Sequence, residues 1–174
     1  LQLDSGAILC GAYAISEYIA EEMRRHPADG GAVPLFPGNR EERAEVRRLV
    51  DWFHRKLERE VTRELLAEKI YLRIQTGSGA PDADIMRAIR GNLRYHMSYI
   101  AYIADQRRWL GGEELSFADL AAAAHLSTID YLGEVPWEEY PPVWAWYQRV
   151  KSRPAFRPLL ADRVPGMPPP MHYA

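Results

Sequence analysis

Apolar positions recur at helical spacing over most of this chain. Val46, Leu49, Val50 and Phe53 share one face of a segment opening at Arg40, and Leu57, Val61 and Leu65 extend that face. Recurrence three and four residues apart marks an amphipathic helix, so one long helix is predicted over 40–74. Thr76-Gly77-Ser78-Gly79-Ala80-Pro81 ends it, since glycine and proline punctuate helices. Ile85, Ile89, Leu93, Met97, Ile100 and Ile103 predict a second long helix over 82–108.

The sharpest local signal is Leu115-Ser116-Phe117-Ala118-Asp119-Leu120. Ser116 caps the next helix, Asp119 at N3 faces its free amides, and Leu115 with Leu120 forms a hydrophobic staple. Aspartate is a shorter variant of the usual Glu or Gln. Ala121 to Ala124 follow, small residues that let neighbouring helices approach closely, so this segment belongs at the centre of a bundle and runs to about Leu132. Pro141-Pro142 opens another helix bearing Trp144, Trp146, Tyr147 and Val150, and Ser152-Arg153-Pro154 stops it.

The N-terminal pattern differs. Leu1-Gln2-Leu3 and Ala7-Ile8-Leu9-Cys10 flank Asp4-Ser5-Gly6 as two short strands around a turn. Two strands do not hold together alone, so further strands are expected to precede Leu1. A helix over 13–24, with Ala14, Ile15, Tyr18 and Ile19, is expected to cover one face of that sheet. Proline and glycine then crowd the residues up to Asn39. The resulting division is a remnant over 1–26, a linker over 27–39, a helical domain over 40–163 and a proline-rich, extended tail over 164–174.

Charge narrows the functions. Twenty-two Lys and Arg stand against 24 Asp and Glu, leaving a net charge of −2 and no broad positive field, which argues against nucleic acid as the main partner. No run approaches the roughly 20 apolar residues of a membrane span, and the expected location is the cytoplasm. The single cysteine, Cys10, excludes an internal disulfide and reads as a buried structural thiol at a strand end. His26, His54, His96, His125 and His172 lie too far apart for a metal-ligand pattern, so no metal site is expected. His125 is expected to pack within the alanine-rich helix with a hydrogen-bonded ring.

Two groups of residues stand out as interaction candidates. Arg47, Trp52 and Arg55 lie on the first long helix, where Trp52 with Arg55 suits an interface anchor. The plainer reading is a solvated face on which Glu45, Asp51 and Glu58 balance the arginines. In the tail, Pro168-Pro169-Pro170 stiffens the chain and Met171, His172 and Tyr173 offer apolar and hydrogen-bonding surface, as in a docking peptide. Tyr95, Tyr99 and Tyr102, at helical spacing, suit helix packing or a dimer contact.

A strand pair, a covering helix, a Pro/Gly linker and helices with the capped Leu115–Leu120 motif and Tyr147-Gln148-Arg149-Val150-Lys151-Ser152-Arg153-Pro154-Ala155-Phe156 resemble the glutathione transferase family. The resemblance implies an α/β plus all-α fold, with a partial N-terminal thioredoxin-like domain before the all-helical domain. The family's catalytic Tyr, Ser or Cys and its cis-proline would precede Leu1, so no catalytic residue is assigned. In Leu9-Cys10-Gly11-Ala12-Tyr13-Ala14-Ile15, Gly11 and Ala12 replace the family's usual Glu and Ser, whose hydroxyl helps hold glutathione at a helix start. Alanine donates no side-chain hydrogen bond, so no cofactor is expected, although a loss of roughly 1–3 kcal/mol would weaken glutathione binding rather than abolish it.

Asp130-Tyr131-Leu132-Gly133-Glu134-Val135-Pro136-Trp137, Ala161-Asp162-Arg163-Val164-Pro165-Gly166 and the ending Met171-His172-Tyr173-Ala174 are similar to an alphaproteobacterial cell-division branch of that family. Members of the branch bind filaments of FtsZ, the bacterial tubulin homologue, stabilise their curvature and form dimers. The resemblance therefore implies a non-catalytic homodimer that binds FtsZ filaments. The alternative is a glutathione transferase acting on an electrophile or a disulfide, and a third reading is a small-molecule carrier.

Overall fold

The computed structural model describes residues 1–25, 34–77 and 79–173. Helix α1 spans Ala12–Arg25, α2 spans 40–76, α3 Ala83–Gln106, α4 Phe117–Tyr131, α5 Pro141–Lys151 and α6 Arg157–Ala161. Short 3₁₀ turns at Trp137–Glu139 and Pro154–Phe156 flank α5.

Helix α2 starts at a capping box formed by Asn39 and Glu42. Asn39 Oδ1 accepts from the amides of Glu41 at 2.8 Å and Glu42 at 3.1 Å, while Glu42 Oε2 accepts from the Asn39 amide at 2.6 Å. Phe53, Leu57, Val61 and Leu65 then recur every four residues, all fully buried. An α-helix turns every 3.6 residues, so that repeat would drift off one face. Over Trp52–Thr62 and Ala67–Tyr71 the helix instead widens to π winding, and the apolar row stays inward. Gly77 ends α2 at φ +76°, its amide bonded to the Arg73 carbonyl at 2.9 Å.

Helices α2, α3, α4 and α5 enclose one core around Leu49, Phe53, Leu93, Met97, Leu126 and Trp146. Ala121, Ala122 and Ala123 are buried against α2, which gives the small-residue run its packing role. Asp119, fully buried, ties three segments together. Its Oδ2 accepts from the Ser116 amide and hydroxyl, and its Oδ1 accepts from the Leu110 amide and from Trp146 Nε1, each at 2.8 Å. Burial pushes this carboxyl up, against the pull of the four donors. The loop before α4 presses so closely that a Cβ on Gly111 would stand 2.7 Å from Ser116 Oγ and 2.8 Å from Val46.

The predicted α/β portion is overturned. Residues 1–11 show one isolated antiparallel bridge, Gln2 to Ile8, and no thioredoxin-like sheet domain is present among the described residues. The fold class is essentially all-helical. Paired segments of this length bury no apolar face by themselves, and Ile8 is 72% exposed. Cys10, expected to be buried, is exposed for the same reason. The helix predicted to cover the sheet forms as α1, but Tyr13 and Ile19 stay exposed. On α3, Ile85 points outward and Met86 is buried instead. The tail expected to be extended folds back on the helical body, where Tyr173 meets Ser127 and Lys151. Of the predicted linker, residues 27–33 lie outside the described residues, as does Ala174.

Candidate functional site

Ser127, Asp130 and Tyr131 lie three and four residues apart, so α4 presents them on one face. The tail binds along that face. The Tyr131 hydroxyl accepts from the Val164 amide at 2.8 Å and donates to the Met167 carbonyl at 2.6 Å. Asp130 Oδ1 accepts from His172 Nε2 at 2.8 Å, and the hydroxyls of Ser127 and Tyr173 meet at 2.8 Å. From α5, Lys151 Nζ donates to the carbonyl of Tyr173 and lies 3.4 Å from that of His172. The Tyr173 ring packs edge-on against Tyr131 with centroids 5.2 Å apart, and Tyr173 is 3% exposed.

Burial shifts the groups in this seat. It pushes the Tyr173 phenol up, and it lowers the Lys151 ammonium against the opposing attraction of Asp130. The tail thus partners the Ser127 and Tyr131 hydroxyls, Asp130 Oδ1 and Lys151 Nζ, while Asp130 Oδ2 stays buried without a hydrogen bond among the described residues. Met171, between the anchored positions and Pro170, is fully exposed. Among the three tail candidates, Tyr173 and His172 anchor and Met171 faces outward. Sequence reasoning missed their receptors Ser127, Asp130, Tyr131 and Lys151; the spacing of three polar-tipped residues within a mostly apolar helix was the available signal.

The α2 candidates lie elsewhere. Arg47 is engaged within the chain, its Nε and Nη2 donating to the two carboxylate oxygens of Glu17 on α1 at 2.6 and 3.1 Å. That hydrogen bonding holds Glu17 below the usual carboxylate range. Trp52 Nε1 donates to His96 Nδ1 at 3.1 Å, and His96 Nε2 reaches Glu60 at 3.0 Å. This arrangement leaves the proton on Nε2 and suits a neutral ring, whose pKa burial lowers. Tyr95, Tyr99 and Lys56 complete a half-buried aromatic cluster around Trp52. Arg55 is exposed and makes a loose 3.4 Å pair with Asp51. No hydrogen bond, ion pair or ring contact among the described residues joins these three to the tail.

At the start of α1, the position where a carboxylate-binding hydroxyl was expected carries none. Gly11 has φ +88°, Ala12 carries only a methyl group, and Ser16 donates its hydroxyl to the Tyr13 carbonyl at 2.7 Å. Among the described residues no cluster of His, Cys, Asp and Glu has the form of a metal site, and no helix is long and apolar enough to cross a membrane.

The family profile described as "Glutathione S-transferase, C-terminal domain" matches residues 67–154. The chain is also 47% identical over 166 residues to FtsZ-localized protein A of Caulobacter vibrioides (strain NA1000 / CB15N), covering 95% of this chain and 69% of that protein. The chain belongs to the glutathione S-transferase family. Two solved structures of the family superpose closely. FzlA from C. crescentus gives a TM-score of 0.87 at 46% identity, with 96% of this chain and 70% of that one covered. A glutathione S-transferase from Rhodospirillum rubrum F11 gives 0.87 at 47% identity, covering 99% and 74%.

Proposed function

We propose that this chain forms the helical part of a non-catalytic, homodimeric, cytoplasmic protein that binds FtsZ filaments and stabilises their curvature. The observation that carries the reading is the 47% identity, across 95% of the chain, to a protein whose name places it at FtsZ. The anchored tail supports it, because a pinned segment with an exposed Met171 offers a partner an apolar contact whose ordering cost is already met. Two copies in a dimer would engage neighbouring subunits of a polymer, so a weak single contact gains from multivalency. The interaction residues in this reading are Met171, held in place by His172 and Tyr173, with Trp52 and Arg55 as a second surface and Arg47 bracing α1.

Glutathione chemistry is the second reading, favoured by the 47% identical Rhodospirillum transferase. Ala12 at the start of α1 weighs against it, and no glutathione is assigned. The test is co-sedimentation of the full-length protein with GTP-polymerised FtsZ, run beside a glutathione-conjugation assay. Saturable pelleting without turnover is expected. Turnover with no pelleting at micromolar protein would replace the filament reading with the enzymatic one.

A further inference from the structure

We propose that the cleft between the Trp137–Glu139 turn, α5 and the tail is a second docking site, which takes an arginine-bearing segment of a basic peptide. The cleft has a volume of about 610 Å³ and is lined by Pro136, Trp137, Trp144 and His172 together with Glu138 and Glu139. Its aromatic walls are fixed before any ligand arrives. Trp137 stacks on the buried Tyr147 with ring centroids 4.9 Å apart and planes at 15°, and Trp144 meets Trp137 edge-on at 5.0 Å. Asp130 Oδ1 accepts from both Trp137 Nε1, at 2.7 Å, and His172 Nε2, at 2.8 Å, so one buried carboxylate sets two of the walls. Preorganisation of this kind lowers the ordering cost of binding.

The charge of the cleft selects the occupant. Glu138 is exposed and has no ion-pair partner among the described residues. Glu139 pairs with Arg94 at 2.9 Å, but both side chains are about half exposed, and such a pair exchanges readily with a ligand cation. Aromatic faces beside two carboxylates match a guanidinium, which stacks on an indole with its plane and grips carboxylates with its fork. An ammonium lacks both the plane and the fork. Proline beside the arginine suits the groove as well, because extended proline-rich segments dock on aromatic-lined surfaces. The cleft shares only His172 with the tail seat, and its occupancy does not depend on the filament reading.

The test titrates acetyl-Arg-Pro-Arg-Pro-amide into the full-length protein by calorimetry and follows the Trp137 and Trp144 indole N–H signals by NMR. Saturable binding that shifts both signals is expected, with affinity falling about tenfold when citrulline replaces arginine. Glu138→Lys, at an exposed position, should leave the fold intact and weaken binding by a similar factor, and raised salt should weaken it further. Absence of saturation up to millimolar peptide would overturn the proposal. Equal binding of the citrulline peptide, or binding unchanged by Glu138→Lys, would overturn it too.

Discussion

The Tyr173 hydroxyl and Ser127 Oγ lie 2.8 Å apart, joining the end of the described chain to the middle of α4. Tyr173 is as buried as a core residue, which makes it part of the folded body rather than a free end. Tyr173→Phe keeps the ring and strands the Ser127 hydroxyl, so a loss of about 1 kcal/mol is expected. Tyr173→Ala should cost about 3 kcal/mol and free the tail. Urea denaturation measures the loss, and faster amide exchange at Met167 would report release. Unchanged exchange in Tyr173→Ala would show that Tyr173 does not anchor the segment.

Asp119 makes the strongest structural prediction. Asp119→Ala removes the acceptor for two amides, a hydroxyl and an indole N–H at once. Buried donors left without partners cost about 1–3 kcal/mol each, though not additively, so a destabilisation of about 3–5 kcal/mol is expected by urea denaturation. A loss below 1 kcal/mol would mean that water replaces the carboxylate at little cost.

Stability should fall on the acid side because of a histidine pair between α2 and α4. His125 Nε2 lies 3.3 Å from His54 Nδ1, and His125 Nδ1 lies 3.0 Å from Thr62 Oγ1. Burial, aided by His54, holds His125 down at about 4, and burial lowers His54 as well. His54 Nε2 is buried without a partner, so a proton there would find no acceptor. Both rings fold in the neutral form, whereas the unfolded chain takes up protons from about pH 6.5 downward. Their contribution is therefore complete above pH 6.5 and is lost as pH falls toward 4. His125 alone accounts for about 2 kcal/mol between pH 7 and pH 5. Urea denaturation at the two pH values should show a smaller difference in His125→Gln than in the native protein; an equal difference would place the acid sensitivity elsewhere.

Where local chemistry decides structure, the sequence was legible. Ser116 and Asp119 announced the start of α4, the alanine run announced its central place, and the apolar rows of α2 and α3 announced their buried faces. The expected sheet failed because strand-like residues take strand form only beside neighbours, and Gln2 and Ile8 find only each other. Cys10 followed the same error. The tail's return was hidden because it depends on Ser127, Asp130 and Lys151, which are distant in sequence and meet Tyr173 and His172 only once α4 and α5 have packed. Arg47 was expected to be balanced by acids on its own helix, and its actual partner Glu17 was hidden because it is 30 residues away on α1.

Filament binding through the anchored tail is tested most directly by comparing native protein and Met171→Asp in co-sedimentation with polymerised FtsZ. Met171 touches solvent and its neighbours hold the anchor, so the substitution should leave the urea midpoint unchanged. The account predicts affinity for the filament reduced by about tenfold or more, from a charge placed in an apolar contact. Equal pelleting of the two proteins would contradict it and move the contact away from the tail.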